Sequence, residues 1–373
     1  MTENQQRRVI FHAGLMKTGT SSIQIALQRA RTNLAREAGI LYPGSERNHN
    51  ALIGTAFFSD PRDYIMNRVR GLSDLSALEK KAASMRAEIE AEVRRAEAGT
   101  ILLSSEIASE PQADLPRLFD WLSTLGDTVD VIVVIRDPLA HATSMIQQRI
   151  KEGRLLEDLH ADPHRTDLSG MLDRTVAAFG RERLRVLKFE DMVAAPAGVV
   201  GSFLDVIGIP DGQTRNTVLE GDRVENQSLS MPAALLLDAI NRQRPAFVDG
   251  KPGPRRTFTE VQWLSRVKGP SFRVPVEVSE RIIADARNDL ASLKERHGIE
   301  PYPDFGKGPL KGPPEDAFGA PETVDSLALV LSDLVFTSRQ KKLSTAQLRS
   351  TADRLVNTKR ALIGTLLARF AGK

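Results

Sequence analysis

The sequence predicts an α/β fold with a central, mainly parallel sheet flanked by helices. Residues 129–135, Val-Asp-Val-Ile-Val-Val-Ile, form a nearly continuous β-branched run, the pattern of a central parallel strand buried on both faces. Shorter apolar runs at 8–11, 40–42, 100–104 and 183–189 alternate with stretches of helical periodicity. The first of these strands feeds a Gly/Ser/Thr-rich loop that opens a helix, residues 11–22, Phe-His-Ala-Gly-Leu-Met-Lys-Thr-Gly-Thr-Ser-Ser.

Each element has a local cause. The first helix is expected over 20–38, with Gly39 as its stop and a short strand at 40–42. A polar loop containing Glu46 and His49 follows, at the carboxyl end of that strand, where open α/β sheets place ligands. Residues 74–98 read as a charged, exposed helix leading to the strand 100–104 and then to Ser105 and Glu106. A helix over 113–125 precedes the 129–135 strand, which ends in Arg136-Asp137-Pro138, with Asp137 as N-cap and Pro138 in the first helical position. Helical spacing then aligns Asp137, His141, Ser144 and Gln148 on one stripe. Further helices are expected at 169–179, 199–207 (closed by Gly208), 231–242 and 278–297. Glu190 and Asp191, after the strand 183–189, read as caps.

The 11–22 loop has the makings of a phosphate site. The first N–H groups of a helix have no intrahelical partner, and the helix dipole adds partial positive charge at that end. Gly19 permits close approach of an anion, Thr18, Thr20, Ser21 and Ser22 supply hydroxyl donors, and Lys17 supplies a full charge. The order is not that of the usual ATP loop, G-x-x-x-x-G-K-[ST], because Lys17 precedes Gly19. It resembles the 5′-phosphosulfate loop of the sulfotransferase family, Lys-[Thr/Ser]-Gly-Thr-[Thr/Ser], between the first strand and first helix. A second motif is also similar to that family: Arg136 ends a strand, and Ser144 lies eight positions later.

The resemblance implies a three-layer P-loop-like fold and transfer of a sulfuryl group from 3′-phosphoadenosine 5′-phosphosulfate (PAPS) to a hydroxyl or amine, releasing 3′,5′-bisphosphoadenosine (PAP), with no metal required. It implies that Lys17 stabilises the leaving 5′-phosphate, that Thr18, Gly19, Thr20, Ser21 and Ser22 hold that phosphate, and that Arg136 and Ser144 select the 3′-phosphate. For the general base the family uses His or Glu. Candidates here are His49, narrowly favoured because an ordinary imidazole titrates near neutrality, then Glu106, with Glu46 in the same loop as His49. His12 sits in a strand, where packing is expected. The family often closes a basic segment over the nucleotide, for which Arg255, Arg256 and Lys268-Gly269 are candidates. Ser104-Ser105-Glu106 stands where cytosolic small-molecule enzymes have Lys-Thr-His, so the chain is more similar to bacterial and carbohydrate-directed members. A glycan, glycolipid or other cell-envelope precursor is the acceptor expected. Two other readings stay open: an ATP-dependent kinase of related architecture, and a non-catalytic nucleotide- or glycan-binding protein on the same fold.

Composition narrows the class further. The 373 residues are 41% hydrophobic and 27% charged, ordinary for a globular protein, and contain no cysteine, which excludes disulfides and thiolate chemistry. The six histidines lack metal-site spacing, and no nucleic-acid motif is present. With neither a signal-like leader nor a run long enough to span a bilayer, a cytoplasmic protein is expected. From Ser338 onward nine Lys/Arg face Asp353 alone, a charge of +8 against −5 for the remaining residues. The expected organisation is a nucleotide-binding catalytic domain over 1–302, a Pro/Gly-rich linker over 303–323 and a basic helical extension over 324–373. In that extension, 344–370 reads as an amphipathic basic helix suited to an anionic inner-membrane surface, to a homodimer contact or to folding back on the domain.

Overall fold

The computed structural model describes residues 6–220, 228–248, 251–253 and 259–340. Strand β1 (Arg8–His12) leads through a loop to α1 (Thr20–Arg29), α2 (Arg31–Glu37) and β2 (Ile40–Leu41). Next come α3 (Asn50–Ala56), α4 (Ile65–Val69), α5 (Leu75–Arg95) and β3 (Thr100–Ser104), then α6 (Leu115–Leu122) and β4 (Thr128–Ile135). The core continues through α7 (Pro138–Lys151), α8 (Leu156–Ala161), α9 (Leu168–Phe179), β5 (Leu184–Lys188), α10 (Phe189–Ala194), α11 (Gly198–Ile207) and α12 (Gln213–Glu220). Helices α13 (Met231–Gln243), α14 (Thr259–Leu264), α15 (Val276–His297) and α16 (Pro321–Gln340) follow, with a two-residue hairpin, Phe247–Val248 against Lys251–Pro252, after α13.

The five strands pair in parallel in the order β2-β3-β1-β4-β5. Side chains alternate across the sheet with the two-residue strand period. Phe11, Ile101, Leu103, Val131 and Val133 meet α3, α5, α6 and α9 on one face. Ile10, Leu102, Ile132 and Val134 meet α1, α2 and α11 on the other. The sheet is therefore the middle of three layers, which is why β4 reads as apolar throughout. Asp74, Asp114, Asp137 and Asp167 each cap the helix they precede through a side-chain oxygen, so short polar residues set those boundaries.

Register decides how the functional edge is shaped. His12 of β1 is level with Ser104 of β3 and with Ile132 of β4, so β4 continues for three residues, 133–135, past the end of β1. At roughly 3.3 Å per residue this carries Arg136 about 10 Å beyond the level where the β1 loop begins.

Three local expectations are revised. The helix expected over 20–38 is two helices, interrupted at Ala30 (φ −92°, ψ 5°), with Leu27 and Leu34 kept in the same apolar cluster. The polar loop of Glu46 and His49 runs into a helix, α3, that the sequence pattern does not predict. Helix α16 begins at Pro321 and packs on a third cluster built by α7, α13 and α15, where Ala317 and Val330 are buried and Asp333 pairs with Arg266 at 2.5 Å. The basic stretch 344–370 lies outside the described residues. No described helix is long and apolar enough to cross a membrane.

Gly54 of α3 lies under the ring of Tyr64, and an added Cβ would sit 2.4 Å from its Cγ. Gly54→Ala is expected to lower unfolding stability by about 1–3 kcal/mol, the range for overpacking, measured by urea denaturation.

Candidate active site

The β1–α1 loop ties down its carbonyl groups and leaves its amides unpaired. Thr18 Oγ1 donates to Leu15 O at 2.7 Å, His141 Nε2 to Met16 O at 3.0 Å and Arg136 Nη1 to Lys17 O at 2.6 Å. None of the backbone N–H groups from Gly14 to Ser22 donates to a protein acceptor among the described residues. Gly19 caps α1 in the left-handed region (φ 78°), and a Cβ there would meet Val199 Cγ1 at 2.7 Å, so backbone conformation and crowding both require glycine. Lys17 is the one non-glycine residue with positive φ (66°) among the described residues. Such a conformation costs on the order of 1–2 kcal/mol and is kept only where its surroundings hold it.

The stripe expected on α7 faces this loop. His141 reaches Met16 O, and Gln148 Oε1 accepts from Lys17 Nζ at 3.4 Å. Ser144, between them on the stripe, is half-buried and makes no hydrogen bond to a described residue. Arg136 lies over the Phe189 ring, 5.0 Å from its centroid, and its Nε is buried without a partner. The turn beneath it is braced by Glu190, whose Oε1 accepts from the Asp137 N–H and whose Oε2 accepts from Tyr302 Oη, each at 3.0 Å. Burial lowers the Lys17 pKa to about 8. Lys151 and Arg136 lower it too, and Glu152 and Glu106 partly offset the fall.

Glu106 stands at the tip of β3 beside the loop, since a Cβ on Gly14 would lie 3.3 Å from Glu106 Cβ. Its Oε2 accepts from Gln24 Nε2 at 2.8 Å and its Oε1 from Asn50 Nδ2 at 3.0 Å. Both amides are themselves held: Asn48 Nδ2 donates to Gln24 Oε1 and Ser105 Oγ to Asn50 Oδ1. The carboxylate is thus fixed in direction and remains half-buried rather than sealed.

His49 is placed differently from the expectation. It is 5% exposed, its Nδ1 accepts from the Ser104 N–H at 3.0 Å, and its Nε2 donates to Pro43 O at 3.0 Å. Both ring nitrogens are consumed by backbone, and burial lowers its pKa, so the imidazole is a neutral strut between the 43–49 loop and β3. This geometry argues against His49 as a base. Glu46 is exposed on the same loop, and His12 is fully buried with Nδ1 against Ser104 Oγ at 2.9 Å.

Other expectations divide. Thr20, Ser21 and Ser22 open α1. The Thr18 hydroxyl, expected to face phosphate, is fully buried and spent on Leu15 O. Lys268-Gly269 packs under α16, with the Lys268 N–H donating to Ser326 Oγ at 2.9 Å, so that segment does not cover the loop. Arg255, Arg256 and the side chain of Lys251 lie outside the described residues. Sequence reasoning did not assign Gln24, Asn50 or Tyr302 to the site. Gln24 lies one turn into α1, on the face beside Thr20, and that spacing is the only signal it offers.

No protein-family model matches the chain, and no curated protein does. Among solved structures the chain is similar to a sulfotransferase from Alicyclobacillus acidocaldarius, with 16% identity, TM-score 0.41 and coverage of 78% of this chain and 95% of that one. It is also similar to the sulfotransferase domain from the curacin biosynthetic pathway, with 12% identity, TM-score 0.35 and coverage of 75% and 98%. A third is the sulfotransferase domain from the Synechococcus PCC 7002 olefin synthase, with 12% identity, TM-score 0.34 and coverage of 76% and 95%. These likenesses are too distant to assign an activity.

His49→Ala would leave the Ser104 N–H and the Pro43 carbonyl without their partner. Urea unfolding is expected to show a loss of about 2–4 kcal/mol, with nucleotide affinity within about threefold of wild type.

Proposed function

We propose that the protein is a sulfotransferase that moves a sulfuryl group from PAPS to a hydroxyl or amine of a glycan, glycolipid or other cell-envelope precursor. The observation that carries this reading is the run of unpaired amides from Gly14 to Ser22, with Lys17 in its midst and Arg136 at its border. An unpaired buried amide costs on the order of 1–3 kcal/mol, a cost that an anion at a helix N-terminus recovers.

The residues fit the donor. The loop amides with Thr20, Ser21 and Ser22 hold the 5′-phosphate, while Arg136, with a buried and unpartnered Nε, and Ser144 take the 3′-phosphate that ATP lacks. PAPS supplies an activated sulfuryl group. As the acceptor oxygen bonds to sulfur, the bond from sulfur to the 5′-phosphate oxygen breaks and its electron pair leaves on that oxygen. Lys17 stabilises the charge that develops there, and Glu106 takes the acceptor's proton. Gln24 and Asn50 each occupy one lone pair of the Glu106 oxygens and leave others for that proton.

Calorimetric titration with PAP, and with ATP and AMP with and without Mg²⁺, tests the donor. Metal-independent PAP binding, tighter than AMP and weakened by Arg136→Ala, is expected; preference for Mg-ATP overturns the reading. The low pKa of Lys17 predicts a pH dependence with a definite sign. The charged ammonium binds the phosphate, so PAP affinity is full below about pH 8 and falls above it by up to about tenfold per pH unit. Nucleotide phosphates are already fully ionised there, with a second pKa of about 6, so Lys17→Met should abolish the slope. Once an acceptor is in hand, Glu106→Gln is expected to lower kcat by roughly 10²–10⁴ while PAP affinity stays within about threefold.

A further inference from the structure

Two neighbouring carbonyls of the phosphate loop are held by side chains from one turn of another element. Arg136, at the tip of β4, donates to Lys17 O, and His141, one turn into α7, donates to Met16 O. A carbonyl only accepts, so His141 carries its proton on Nε2, and its Nδ1 is a bare lone pair, buried and unpartnered. The ring is 3% exposed and packs edge-on against His164 at 5.2 Å between centroids. Burial, with His164, Arg136 and Lys17 close by, pushes the His141 pKa down to about 3, so the donor is neutral at ordinary pH.

We infer that His141 is a positioning residue for the 5′-phosphate subsite, holding the Met16 carbonyl as Arg136 holds the next, so that the Lys17 and Thr18 amides stay free for the anion. This rests on the loop being the 5′-phosphate site proposed above. The steric logic is that of the trans peptide, whose N–H points opposite to its C=O. With Met16 O turned to His141, the Lys17 N–H points away from α7; with Lys17 O turned to Arg136, the Thr18 N–H points away from Arg136. Neither amide donates to a described residue. Lys17 lies between the two braced peptide units, and the same two bonds account for its left-handed φ of 66°. A charged donor at position 141 would add a further cation beside Lys17, Arg136 and Lys151; a neutral imidazole orients the loop without lowering the Lys17 pKa further. The packing of His141 on His164 links the loop to the 162–167 segment.

The test separates the two phosphate subsites. Wild type, His141→Phe and His141→Gln would be titrated calorimetrically with PAP, adenosine 5′-phosphate and adenosine 3′-phosphate, with thermal unfolding alongside. His141→Phe keeps a ring without the donor and is expected to weaken PAP and adenosine 5′-phosphate by about tenfold, the value of one hydrogen bond, while adenosine 3′-phosphate changes less than twofold. His141→Gln, whose amide can reach the same carbonyl, is expected to restore affinity to within about threefold. If His141→Phe does not fold, His141→Asn, with a donor too short to reach Met16 O, takes its place. Wild-type affinity for PAP in the donor-less variant overturns the inference. So does an equal loss for the 5′- and 3′-phosphates, the mark of general disruption. Failure of the wild type itself to bind PAP or adenosine 5′-phosphate is a different result: it overturns the nucleotide reading, and this inference with it.

Discussion

The structure depends on a loop in which three successive carbonyls, those of Leu15, Met16 and Lys17, are bonded to side chains, while its amides donate to no described residue. In most loops the two kinds of backbone group find partners together, because a buried donor or acceptor left alone costs about as much as a lost hydrogen bond. Between Gly14 and Ser22 the acceptors Leu15 O, Met16 O and Lys17 O are satisfied by Thr18, His141 and Arg136, while the donors meet no acceptor among the described residues. The loop is held by one edge and presents the other. Its shape is therefore decided before any anion arrives.

That bracing requires the sheet. Arg136 reaches the loop because β4 outruns β1 by three residues, and β4 can do so because β5 continues to pair with it, Ile135 against Lys188. Phe189, immediately after β5, supports the guanidinium from below, and Glu190 holds the Asp137 amide while Tyr302 holds Glu190. A residue near the end of the domain thus steadies the turn that steadies the loop. Removing Glu190 would leave the Asp137 N–H and the Tyr302 hydroxyl without this partner, the circumstance in which small changes have large effects.

The second half of the site is a polar network that fixes one carboxylate. Glu106 is oriented by Gln24 from α1 and by Asn50 from the start of α3, each amide held in turn by Asn48 or Ser105. The sequence narrowly favours His49 over Glu106 as base because an imidazole needs no help to titrate near neutrality. Its location removes that advantage. Enclosed between Pro43 O and the Ser104 N–H, it is a backbone strut, and the carboxylate at the strand tip is left with the accessible lone pairs.

What the chain order alone determined is local and periodic: the alternation of strands and helices, the buried central strand 129–135, the N-cap at Asp137, and the order Lys17, Gly19, Thr20 at a strand-to-helix junction. Each of these follows from interactions within a few residues, so spacing in the sequence is spacing in space. Tertiary structure decided whatever depends on which groups meet across the fold. Thr18 and His49 carry the right chemistry in the right neighbourhood, yet both are consumed by contacts with backbone, His49 across 55 residues of chain to Ser104. His141 stood on the expected stripe with no task until Met16 O, 125 residues away, came within 3.0 Å. A side chain's type sets what it can donate or accept; only packing sets what remains for it to do, because hydrogen-bonding capacity is finite and the fold uses part of it first.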